Sequence, residues 1–149
     1  MRALLRTASR WLWAALAEDE DRLRRFLFAF FGLEVLVNKT WSRVKTAVIS
    51  ELSADLGGFP VEELMWPTGR DESYTPERNL TFKFTLLAVA LSRPTAPEDV
   101  ATFKTLAAAR NKLAHGAAES IELLPSNETI SLLRRYLSLV AKADVDGSL

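Results

Sequence analysis

Asp21-Arg-Leu23-Arg-Arg-Phe26-Leu27-Phe28-Ala-Phe30-Phe31-Gly-Leu33-Glu34-Val35-Leu36-Val37-Asn38-Lys-Thr-Trp41-Ser-Arg-Val44-Lys-Thr-Ala-Val48 decides the fold. Leu23, Leu27, Phe30, Glu34, Val37, Trp41, Val44 and Val48 recur at spacings of three and four, which is one face of an α-helix. The spacing predicts one helix from about Asp21 to Leu56, released from helical geometry by Gly57-Gly58. Between Phe26 and Val37 nearly every face is apolar, so the helix must be covered all round. A small bundle covers only part of that circumference. The surplus aromatic surface argues for a subunit interface.

Outward from this stretch the chain reads as helix throughout, with no strand-length alternation. A first helix starts near Ala3. Arg2, Arg6 and Arg10 lie on one of its faces, which favours an amphipathic helix over a signal peptide despite the Ala15-Leu16-Ala17 cleavage-like triplet. The acidic run Glu18-Asp-Glu-Asp21 favours a helix N-terminus through the helix dipole. Residues 57–75 form one long loop, with a helical turn at Val61–Met65. Thr75-Pro76 reads as the cap and first position of a third helix, about Pro76 to Ser92. Thr95-Ala-Pro-Glu98 has the capping-box pattern and opens a fourth helix that runs to His115 and stops at Gly116. A fifth spans about Asn127 to Lys142, and 144–149 reads as a frayed tail. The expectation is an all-α, up-and-down bundle of about five helices in a single domain, 1–149, with its core at about 20–142.

Composition narrows the function classes. Lys plus Arg and Asp plus Glu each number 19, so the chain is neutral. That excludes a polybasic protein holding nucleic acid by bulk charge, though not a local basic cleft. Cysteine is absent, which excludes disulfides, thiolate metal sites and a cysteine nucleophile. The longest apolar runs, Phe26–Val37 and Leu80–Leu91, are interrupted by Glu34 and Lys83, and both fall short of the ~20 residues of a membrane span. A cytoplasmic location with no membrane partner is expected.

The chemistry is concentrated in Ala109-Arg110-Asn111-Lys112-Leu113-Ala114-His115-Gly116. Val100, Phe103, Ala107, Arg110 and Ala114 form one helical stripe, which puts Arg110 in line with the apolar face. Lys104, Ala108, Asn111 and His115 form a second stripe, so Asn111 and His115 are neighbours one turn apart. His115 sits in the last turn, where the carbonyl end of the helix favours its protonated form. An arginine, an amide and an imidazole thus converge at one helix end. A capping histidine beside a solvated arginine is the plainer alternative.

This segment resembles the Arg-x₄₋₆-His signature of HEPN domains, including the polar residue after the arginine. Phe28-Ala-Phe-Phe-Gly-Leu-Glu34-Val-Leu-Val-Asn38-Lys is similar to the early helix of that family. The resemblance implies a helical, usually dimeric protein. It implies a metal-independent endoribonuclease of toxin–antitoxin or host-defence systems, with RNA as substrate and an antitoxin or defence protein as partner. Carried over by position, the catalytic residues are Arg110, His115 and Asn111, and no cofactor or metal is implied. The tyrosine found two residues after the histidine in one branch is Ala117 here, which argues against that branch. A non-catalytic module of the same type, binding RNA, a nucleotide or a protein, is the alternative.

The residue types suit metal-free RNA cleavage. The 2′-hydroxyl attacks the adjacent phosphate, a guanidinium takes two of the phosphate oxygens, and a histidine moves the proton. Lys104, Lys112, Arg70 and Trp66 are candidate substrate-binding groups, the last by stacking on a base. Glu34 and Asn38 are candidate supporting residues. Glu34 interrupts a core stripe and needs a partner if buried; either it orients Arg110 or it reaches solvent between helices. As a buried pair with Arg110, its loss would cost about 3 kcal/mol.

Overall fold

The computed structural model describes residues 2–55, 79–116 and 121–147, and all regular structure among them is helical. The elements are α1 (Arg2–Ala17), α2 (Arg22–Asp55), α3 (Leu80–Ser92), α4 (Ala96–Ala114) and α5 (Ser126–Asp146). Short 3₁₀ turns lie at Arg93–Thr95 and Ile121–Leu123. The all-α bundle that the periodicity predicts is therefore present. None of the described helices is long and apolar enough to cross a membrane.

Helix ends follow local chemistry, and three differ from expectation. Asp21 opens α2: its Oδ1 accepts the Arg24 N–H at 2.9 Å. The third helix begins at Leu80 rather than Pro76. Asn79 is its cap, extended in backbone, with Oδ1 accepting the Phe82 N–H at 3.1 Å. Thr75-Pro76 lies outside the described residues. Thr95 precedes α4, but its hydroxyl makes no capping bond, so the expected capping box is absent. The hydroxyl is instead drawn to the Asp99 carboxylate at 3.1 Å. The fifth helix runs on through Asp146 to Gly147, whose φ of 70° ends it, so residues expected in a frayed tail are helical.

The core is built on α2. Phe84 of α3 stacks on Phe103 of α4 with centroids 4.2 Å apart, and Phe103 in turn meets Phe30 of α2. Tyr136 of α5 packs on Phe84 at 4.8 Å. All four rings are fully buried. On the other side of α2, Trp11 of α1 sits against Phe28 and Phe31. As a result, none of the apolar side chains from Phe26 to Val37 is exposed. Phe28 and Phe31 are half-buried, and Trp11 of α1 covers them in part.

Gly32 of α2 faces both α5 and α1. A Cβ there would lie 2.5 Å from Leu133 Cδ2 and 3.2 Å from the Trp11 Cβ. Glycine in a helix interior costs about 1 kcal/mol against alanine, and here it makes room for a fully buried leucine.

Asn38 of α2 meets Lys83 of α3, and further along both helices Glu51 meets Arg93. α3 thus runs in the same sense as α2, so up-and-down order is broken at this step. A short connection would force antiparallel neighbours; residues 56–78 release that constraint.

Candidate functional site

The buried line of α4 is Ala96, Asp99, Phe103, Leu106 and Ala109. Arg110 lies one turn beyond Leu106, at the edge of this line where the helix leaves the core. Val100 and Ala107 are only half-buried and Ala114 is exposed, so the apolar face is rotated from the expected stripe. Arg110 can therefore rest its stem on the core and hold its head at the surface.

Its head meets α2. Arg110 Nη2 is 3.7 Å from Glu34 Oε1, with the two side chains 36% and 27% exposed. Arg110 Nη1 also donates to Asn111 Oδ1 at 3.5 Å, a long contact. Glu34 thus takes the orienting position, but the pair is part-solvated rather than buried. Burial pushes the Glu34 carboxyl above the usual carboxylate range, and the Arg110 charge pulls it back only in part. The pair is accordingly worth at most about 1 kcal/mol, not the 3 kcal/mol of a buried one.

His115 follows the last turn of α4 as its C-cap. Its N–H donates to Asn111 O at 3.0 Å, and Gly116 continues with φ 70°. The His115 and Asn111 side chains are exposed, one helical turn apart as the spacing predicts. Among the described residues, no hydrogen bond or ion pair to the His115 ring is found. Arg110 is therefore loosely paired with Glu34, and the His115 side chain is exposed.

The other expected residues divide. Asn38 lies one turn from Glu34, and its Oδ1 accepts from Lys83 Nζ at 2.8 Å rather than from Arg110. Lys104 and Lys112 are exposed on α4. Trp66 and Arg70, with the expected turn at Val61–Met65, lie outside the described residues. Lys83 is brought to Asn38, a contact that the sequence did not anticipate. Its sequence signal was a lone charge within the apolar run of α3.

A second polar cluster was also missed. Asp99 is 6% exposed. Its Oδ1 accepts from Arg135 Nη1 at 2.9 Å, and its Oδ2 accepts from the Tyr136 hydroxyl at 2.8 Å and from Thr95 Oγ1 at 3.1 Å. Arg135 also donates to Ser92 and to Thr95. Burial and the Asp99 bond push the Tyr136 phenol well above its ordinary value, so it stays a donor. The cluster ties α3, α4 and α5 together, and every member has a partner. A cleft of about 380 Å³ opens beside it between Asp99, Thr102, Asn127, Ser131 and Arg135. Asp99 and Arg135 on its wall are spent on holding the helices together.

No family model, curated protein or solved structure matches this chain.

Proposed function

We propose that the protein is a metal-independent endoribonuclease of the HEPN type, acting in a toxin or host-defence system. The observation that carries this reading is Arg110, braced by Glu34 at the rim of the core, one turn before an open His115. A guanidinium held from one side presents its remaining N–H groups as a fork for phosphate oxygens. An exposed imidazole five residues on is free to take the 2′-hydroxyl proton or to protonate the leaving 5′-oxygen. The 2′-oxygen bonds to phosphorus as the 5′-oxygen leaves, giving a 2′,3′-cyclic phosphate and a 5′-hydroxyl.

In this reading the functional unit is a homodimer. The open ring of His115 acquires its second wall from the α4 end of the other copy, and two Arg110 residues supply positive charge that a neutral chain lacks. In this reading the interface is put at the polar α4 end, where Arg110 and His115 lie. A non-catalytic RNA-binding module is the second reading, favoured by the absence of any group among the described residues that orients the His115 ring.

The test is single-stranded RNA incubated with purified protein in EDTA. Cleavage leaving 2′,3′-cyclic phosphate ends is expected, lost in both Arg110→Ala and His115→Ala while helical content is kept. Cleavage that survives both changes, or that needs added divalent metal, overturns the reading. RNA bound but never cut supports the second.

A further inference from the structure

We infer that Lys83 is a second phosphate-binding group, taking the phosphodiester next to the one held by Arg110. This rests on the RNA-cleaving reading and extends its surface from α4 to α3. Lys83 Nζ is fixed twice: Asn38 Oδ1 accepts from it at 2.8 Å, and it stands 5.7 Å from the centre of the Trp41 ring. Trp41 is itself held edge-on by Phe82 at 6.1 Å. An ammonium has three N–H donors. Asn38 takes one and the indole face offers no lone pair, so donor capacity remains for an anion.

The supports set the spacing. Glu34 braces Arg110 and Asn38 braces Lys83, and the two braces are four residues apart on α2. They stand about one turn apart on one helix face, about 6 Å along the axis. Neighbouring phosphates on a single strand are separated by a distance of the same order. Each cation meets its own brace, so the two are set out along α2 rather than gathered at one point.

Lys83 is also placed against its own stability. It lies in the first turn of α3, where the helix dipole disfavours a cation, and no acidic residue in that turn offsets it. No acidic side chain pairs with it among the described residues; its partners are an amide and an indole. Among the described residues the charge is positioned but not neutralised by a carboxylate.

The test uses a short 2′-O-methyl RNA, which binds but has no hydroxyl to attack. Lys83→Met keeps the stem on Trp41 and removes the charge. Binding should weaken by roughly tenfold, and the slope of log K against log salt should fall by about 0.7, one single-strand phosphate contact. Lys83→Arg should restore the slope. If wild type binds and Lys83→Met matches it in affinity and slope, the assignment is overturned and the RNA reading stands. If wild type does not bind this RNA, the RNA reading fails and takes the assignment with it.

Discussion

The Arg110 guanidinium lies 3.7 Å from the Glu34 carboxylate, yet Glu34 holds its proton more tightly than an ordinary glutamate. Burial therefore outweighs the ion pair. The native state binds this proton more tightly than the unfolded chain. Stability from this group is complete below 4.5 and is lost as pH rises through the raised value. Glu34→Gln should abolish that loss, so wild type loses ground to the variant between acid and neutral pH, by less than about 1 kcal/mol. Urea unfolding of both proteins across this range measures it. A wild type that gains on the variant would mean that Arg110 dominates.

The same pair has a bounded coupling. In the cycle of Glu34→Ala, Arg110→Ala and the double variant, the interaction term should not exceed about 1 kcal/mol. A term near 3 kcal/mol would require a drier pair than the structure contains.

The Asp99 cluster should dominate stability instead. Asp99→Ala leaves the buried Tyr136 hydroxyl without its acceptor, while the part-exposed Arg135 keeps Ser92 and Thr95, and should cost about 2 kcal/mol. Tyr136→Phe removes one bond and should cost about 1 kcal/mol. Denaturant midpoints check both. Equal, small losses would show that the three helices are held by packing alone.

These contrasts mark what the sequence discloses. Glu34 and Arg110 were both legible because each interrupts an apolar stripe, and a charge in a stripe needs a partner. Lys83 carries the same signal, but nothing local in the sequence pairs it with Asn38 and Trp41, which lie more than forty residues away on α2. Asp99 was hidden by Thr95-Ala-Pro-Glu98, whose capping pattern assigns the acids of that turn to solvent. Only the approach of α5, a long-range contact with no local period, turns Asp99 inward. The covering of Phe28 and Phe31 was missed similarly. An amphipathic α1 is visible in sequence; the face of α2 on which it lies is not.

Gly32 offers a test of helix spacing. Gly32→Ala gains helix propensity but forces Leu133 or α5 to move, and should be destabilising by about 1 kcal/mol net. Gly32→Ala combined with Leu133→Val should recover part of this, read as a melting-temperature shift. A stabilised single variant would show that α5 yields freely.

Assembly is tested by sedimentation equilibrium at micromolar protein. The proposed homodimer should give twice the 16.6 kDa chain mass. Phe28→Ala should leave the assembly state unchanged, because that ring is packed against Trp11 within one chain. A species of chain mass alone overturns the shared cleft.

The parallel run of α2 and α3 has a kinetic consequence. α1 with α2, and α3 with α4, are helical hairpins closed by short turns, so each needs little loop-closure entropy. Joining them needs closure across residues 56–79, the slower step in a topology-limited chain. Glu34 and Asn38 belong to the first hairpin, Lys83 and Arg110 to the second. The candidate site thus lies on a seam between two cooperative units. Native-state hydrogen exchange should find this seam opening at lower free energy than either hairpin. On the proposed reading, phosphate groups would meet these cations at the seam closed by the longest connection.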